Sequence, residues 1–222
     1  MDGRLTRASL LKAAGAAAAA LGLGRLGGSS HDALAGDTVS CVLTPEQTEG
    51  PYYIAKEKLR RTITDGRPGT PLTLRLAVVD AKTCRPIKGA AVDVWHCDAS
   101  GIYSGFGAGR ASRTFMRGIQ RTNAQGVATF RTVYPGWYQG RTVHIHVKVH
   151  VHGNVVHTGQ LYFPDRVTDA AYRQSPYANR PNRDVRNADD MVFRNGGKRS
   201  LLTVRRSDAG YVGLIRMGVR RS

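Results

Sequence analysis

Acidic residues are scarce in this chain. Sixteen aspartates and glutamates stand against 33 lysines and arginines, a formal net charge of +17 over 222 residues. A protein so basic is drawn to acidic surfaces, polyanions or anionic substrates. Nucleic acid is the first class that charge suggests, and it predicts binding that weakens steeply with salt. The elements that would support it are missing: there is no zinc-finger spacing and no basic segment running into heptads. The basic residues are mostly scattered arginines, which reads as a solubilising surface, and no nucleic-acid partner is expected. Cysteine is also rare, with Cys41, Cys84 and Cys97 alone. Their spacing is not that of a zinc site. An odd count leaves at least one thiol free or paired between chains; the pairing stays open, with a disulfide staple favoured over catalysis. No apolar run of membrane length follows Leu23, so no stable membrane span is expected after processing. No internal repeat and no sustained helical period occur in the body of the chain. The length suits one domain with a substantial core.

The N-terminus reads as a processing signal. Arg4, Arg7 and Lys12 form a positive leader, an alanine-rich apolar run follows from Ala13 to Leu23, and Ala33-Leu34-Ala35 fits a small-x-small cleavage site. Residues 1–35 are therefore expected to be an export signal, leaving a mature domain over 36–222 and a secreted, extracytoplasmic location. The run Thr6-Arg7-Ala8-Ser9-Leu10-Leu11-Lys12 resembles a twin-arginine motif but has Ala8 where the second arginine belongs, so the export route stays open.

The rest reads as β-structure. From Leu72 to Val79 the chain alternates, with Leu72, Leu74, Leu76 and Val78 on one face. Further strands are expected over Ala90–Trp95, Gly126–Val133, Thr142–Val151, Val155–Phe163, Leu201–Val204 and Tyr211–Val219. The stretch Thr122–Gly126 reads as a turn. Many short strands with turn signals predict an all-β fold, a β-sandwich of mostly antiparallel strands. Residues 166–198, rich in Arg, Asn, Asp and Pro, read as a long irregular excursion, and such loops are often functional.

Chemistry-bearing residues gather around one strand. In His144-Ile145-His146 the two imidazoles stand at i and i+2, so on a strand they share a face. Neutral imidazoles so placed can chelate a metal; His150 and His152 continue the same face if the strand stays regular, which would make the tract a plain polar surface. Tyr138 lies six residues before His144 in a Pro/Gly loop, and Tyr103 follows the turn Asp98-Ala99-Ser100-Gly101. Each tyrosine alone is an ordinary packing residue. Together, loops feeding one rigid sheet face make a site. A phenol loses its proton only near pH 10, so phenolate ligation asks for a hard, strongly polarising cation such as ferric iron.

Along the chain stand Thr48-Glu49-Gly50-Pro51-Tyr52-Tyr53, Pro86 with Gly89-Ala90, Trp95 with Gly101 and Tyr103, Pro135-Gly136 with Tyr138, Arg141 with His144-Ile145-His146, and Gln160 before Tyr162-Phe163. This ordered set resembles the intradiol ring-cleavage dioxygenases, the family of catechol 1,2-dioxygenase and protocatechuate 3,4-dioxygenase, and within it the short secreted bacterial members. The resemblance runs from about Thr44 to Gln160 and loosely through the later strands. It implies one Fe(3+) per chain held by Tyr103, Tyr138, His144 and His146, with Tyr103 and His144 equatorial and Tyr138 and His146 axial. It implies a small aromatic diol and O2 as substrates and ring opening between the two hydroxyl-bearing carbons to a muconate-type product. Tyr138 would leave the metal and accept a proton. Arg141 would set a positive charge beside the ring, Gln160 would hydrogen-bond near it, and Pro51 and Tyr52, with Tyr53, would line the entrance. Two departures matter: the Tyr138–His144 stretch is shorter than in the well-known catabolic enzymes, and the helical N-terminal dimerisation region of catechol 1,2-dioxygenases is absent. Substrate preference and a homo-oligomer are thus left open. The alternative is a non-catalytic secreted transthyretin-like β-sandwich binding module, which shares Gly89-Ala90, the Gly126 turn and Pro135-Gly136.

Overall fold

The computed structural model describes residues 42–55, 57–109 and 114–221. The leader expected over 1–35 and Cys41 lie outside the described residues. Eight strands form: β1 Pro71–Asp80, β2 Ala91–Trp95, β3 Arg117–Arg121, β4 Val127–Val133, β5 His144–Val151, β6 Asn154–Tyr162, β7 Thr203–Ser207 and β8 Gly210–Val219. They make two four-stranded sheets, ordered β4-β1-β8-β7 and β3-β2-β5-β6. All neighbours are antiparallel except β1 and β8, which run parallel. This is the all-β sandwich that the alternation predicts.

The core lies between the sheets. Leu72, Leu74, Leu76 and Val78 of β1 are at most 1% exposed, and they meet Val92 and Val94 of β2, Phe130 of β4 and Ile145, Val147 and Val149 of β5. Fully burying each such side chain is worth about 1.5–3 kcal/mol. That inner set fixes the register, because a one-residue slip would turn it to solvent.

The predicted turn before β4 is built on Asn123. Its Oδ1 accepts from Gln125 N at 3.0 Å and Val127 N at 2.9 Å. Gly126 closes it at φ +73°, where a Cβ would stand 2.6 Å from the Val78 carbonyl oxygen. Three features depart from expectation. Strand β3 is additional; Arg117-Gly118-Ile119-Gln120-Arg121 has little alternation and is a strand because β2 pairs with it. The 166–198 excursion is not irregular throughout, since α1 spans Asp165–Ala171 and α2 Met191–Arg194, with 3-10 turns between and after them. The β5 strand does not stay regular: register shifts between Val149 and His150, and His152 sits in the following turn at φ +51°. Cys84 is disulfide-bonded, whereas Cys97 is a buried free thiol.

The outward side of the second sheet is also covered. The segment from Thr44 crosses it, with Gln47 N donating to Thr158 O at 2.9 Å and Glu49 pairing with Lys148. Polar residues of β2, β5 and β6 are thereby buried between sheet and arm, and the site forms there.

Candidate metal centre

Strand alternation puts Ile145 into the core and turns His144 and His146 beneath the arm, where they are 2% and 1% exposed. Two loops complete the group. In the first, Asp98 Oδ1 accepts from Ser100 N at 2.9 Å and Ile102 N at 3.0 Å, fixing the turn that delivers Tyr103. In the second, Gly136 packs so tightly on the first that a Cβ would lie 2.4 Å from Ala99 O. The Trp137 indole donates to Arg180 O at 2.9 Å, and Tyr138 follows it into the site.

The four residues singled out in the sequence converge. Tyr138 Oη lies 3.2 Å from His144 Nε2, which lies 3.0 Å from His146 Nε2. The Tyr103 ring is 5.5 Å from that of Tyr138 and 6.3 Å from that of His146, centre to centre. His144 Nδ1 is 2.7 Å from the Thr142 carbonyl oxygen. A carbonyl only accepts, so Nδ1 carries the proton and Nε2 offers its lone pair to the site. His146 stacks on Trp95 at 4.9 Å and 7°. Arm residue Gly50, at φ +71°, approaches it so closely that a Cβ would be 3.2 Å from Cε1.

Burial leaves these four donor groups uncharged. Burial, then the Arg141 charge, pushes His144 down to about 3. Burial and the neighbouring His144 hold His146 well below its ordinary value. Both imidazoles are therefore neutral donors. Burial raises Tyr103 well above the usual phenol value and pushes Tyr138 up to about 12. The Tyr103 hydroxyl, although buried, has no hydrogen-bond partner, an arrangement that costs about 1–3 kcal/mol unless something else satisfies the oxygen. Among the described residues no group of three or more His, Cys, Asp or Glu has metal-holding geometry. The donor set is thus two imidazoles and two phenols, which fits ferric iron and suits zinc poorly.

Arg141 and Gln160 join the same group. Gln160 stands opposite His146 in the β5–β6 ladder. Arg141 Nη2 donates to Gln160 Oε1 at 2.6 Å, Tyr162 donates to the same oxygen at 3.1 Å, and Gln160 Nε2 donates to Thr48 O at 2.9 Å. Gln160 therefore orients Arg141 and ties down the arm. Tyr52 stacks on Tyr103 at 4.3 Å and meets Tyr138 edge-on at 6.1 Å, so it faces the site. Pro51 is exposed beside it. Tyr53 turns away, donating to Asp93 Oδ2 at 3.2 Å and packing on Trp95.

Asp190 escaped the sequence reading. Its side chain is fully buried and accepts from Arg141 Nε and Thr142 N, each at 2.9 Å, and from Phe193 N at 2.8 Å, where it caps α2. Burial alone would raise its carboxyl; the hydrogen bonds from Arg141, Phe193 and Thr142 outweigh that and hold it below the usual range. One carboxylate thus holds both Arg141 and the residue whose carbonyl orients His144. The only sequence signal was that it lies in the 166–198 excursion.

A family model described as "Dioxygenase" matches residues 48–180. The chain belongs to that family, the intradiol ring-cleavage dioxygenases. It is 32% identical over 121 residues to catechol 1,2-dioxygenase 1 of Acinetobacter lwoffii, covering 50% of this chain and 39% of that protein. With catechol 1,2-dioxygenase 2 of the same organism it shares 34% over 125 residues, 49% of this chain and 45% of that one. The chain thus spans less than half the length of these curated relatives. Among solved structures, an intradiol ring-cleavage dioxygenase from Tetranychus urticae superposes with a TM-score of 0.76 at 38% identity, over 81% of this chain and 95% of that one.

Proposed function

We propose that the protein is a non-haem Fe(3+)-dependent intradiol dioxygenase that opens a catechol-type ring between its two hydroxyl-bearing carbons, giving a muconate-type product. One observation carries the reading: Tyr138 Oη lies 3.2 Å from His144 Nε2, which lies 3.0 Å from His146 Nε2, beside the unpartnered Tyr103 hydroxyl. Ferric iron, when bound, supplies the positive charge that holds the diol deprotonated and couples it electronically to dioxygen.

The chain's own groups divide the remaining work. His144, His146 and Tyr103 are buried and would hold the metal throughout. Tyr138 is half-buried on a Pro/Gly loop and is the ligand assigned to move. Burial pushes its hydroxyl up to about 12, so as a phenolate Tyr138 would have a high proton affinity and could take a proton from the incoming diol at Oη. Arg141, held by Asp190 and Gln160, sets a fixed positive charge where carbanionic character grows on the ring. Tyr52 offers an aromatic wall. The transthyretin-like alternative gives the buried, unpartnered Tyr103 hydroxyl no role.

The purified protein should be wine-red from tyrosinate-to-iron charge transfer, and anaerobic catechol should shift that band. In air, one O2 should be consumed per catechol. A colourless, iron-free protein with an intact fold and no oxygen uptake after iron loading refutes the proposal. Export is part of it: protein recovered outside the cytoplasm should begin at Gly36, and protein retained inside with residues 1–35 intact refutes that part.

A further inference from the structure

The metal centre does not account for the chain's excess of positive charge. Some arginines are matched, among them Arg60 with Asp65, Arg141 with Asp190, and Arg183 with Asp165 and Asp169. On the first sheet unmatched arginines are gathered on one face. Since Leu72, Leu74 and Leu76 face the core, Thr73 and Arg75 of β1 face away from it. Register carries Arg131 of β4, Arg216 of β8 and Arg205 of β7 onto the same outward side. No aspartate or glutamate occupies an outward position on these four strands. Among the described residues none of the four arginines has a carboxylate partner.

Their placement is ordered. Arg131 lies opposite Thr73 and Arg216 pairs with Ala77, so each is one diagonal step from Arg75, on opposite sides. A diagonal step on a sheet is about 7–8 Å. Arg131, Arg75 and Arg216 therefore form an oblique row across three strands, and Arg205 stands on the fourth. Threonine hydroxyls are interleaved, with Thr129 and Thr203 on the strands flanking Arg75 and Leu214. The face bears no aromatic side chain, hence no platform on which nucleic-acid bases could stack.

We propose that this face docks an acidic polysaccharide, a linear polymer carrying carboxylates or sulfates on a hydroxyl-rich chain. Guanidinium forks pair bidentately with such anions, and the threonines exchange hydrogen bonds with sugar hydroxyls. Like charges held close on one sheet repel one another, and a polyanion relieves this. The metal centre lies on the outward side of the other sheet, so docking leaves it open to small aromatic diols.

The test uses the full iron-loaded chain with polygalacturonate and heparin as probes and duplex DNA as competitor. The R75S/R131S/R216S variant should bind both polysaccharides at least tenfold more weakly, with the slope of log K against log salt smaller by about two to three, from the counterions no longer released. An R166S/R173S/R194S control, with the same loss of charge at exposed positions elsewhere, should bind nearly as the parent does. Catechol turnover should be unchanged in both. Equal weakening of both variants, no weakening of the first, or displacement by DNA at lower concentration than by either polysaccharide overturns the proposal.

Discussion

Replacing Asp190 with asparagine preserves shape and removes one charge and one acceptor. The carboxylate receives three N–H donors: Arg141 Nε and Thr142 N on Oδ2, and Phe193 N on Oδ1. An amide has a single oxygen, so in either orientation its NH2 faces at least one of them. The variant loses the charge assistance to Arg141 and leaves at least one buried N–H unsatisfied, about 1–3 kcal/mol for the latter. Breaking a buried ion pair from one side costs about 3–5 kcal/mol. Arg141 keeps its bond to Gln160, and its side chain is 20% exposed, so the lower end applies: about 3 kcal/mol in urea denaturation. With Arg141 less fixed, kcat/KM for catechol should fall about 10–30-fold, equivalent to roughly 1.4–2 kcal/mol, while the expected red colour should persist because the four proposed ligands remain. The pH dependence has a definite sign. Asp190 is held below its ordinary carboxylate value, so its contribution is present above that value, about 3.9, and fades as pH falls through the lower folded value. The asparagine variant should therefore lose less stability than the parent as pH falls below about 4. A D190N protein within 0.5 kcal/mol of the parent and within twofold in kcat/KM would refute the role given to Asp190.

Tyr103→Phe should abolish the charge-transfer colour contributed by that phenolate and lower iron stoichiometry, yet leave the metal-free protein as stable as the parent or up to about 1 kcal/mol more stable, since a buried unpartnered hydroxyl is removed; calorimetry and metal analysis check both. Gly50→Ala places a methyl 3.2 Å from His146 Cε1 at φ +71°; it should cost about 1–2 kcal/mol of stability and shift the visible band, and an unchanged spectrum counts against the contact. His96 is buried and pushed down to about 4 by desolvation. A lowered folded value means that its neutral form stabilises above the ordinary 6.5 and that this is lost as pH falls toward 4, by at most about 3 kcal/mol. Metal-free His96→Gln should lose visibly less stability than the parent between pH 7 and pH 4.5; parallel losses would refute the assignment.

Period-two alternation made the sandwich legible. It marked Leu72 to Val78 and the His144–His146 face because a strand with one side in a core must alternate. The order of motifs also singled out Tyr103, Tyr138, Arg141 and Gln160. Alternation could not reveal β3, whose Arg-Gly-Ile-Gln-Arg run is a strand through its hydrogen bonds to β2. Nor could it reveal the parallel pairing of β1 with β8, residues distant in sequence whose adjacency is a matter of topology. Asp190 lies 49 residues from Arg141, and nothing local in Asn187-Ala188-Asp189-Asp190 distinguishes the second aspartate from the first. The sequence by itself determined which side chains could hold a cation and which face of each strand would bear them, because residue chemistry and pleat are local properties. Tertiary structure alone decided that Gly136 packs against Ala99 closely enough to bring the two tyrosine loops together, that the arm seals the histidines from water, and that one buried carboxylate steadies both Arg141 and the Thr142 backbone. Those outcomes depend on long-range packing and on the desolvation it imposes, which no local pattern encodes.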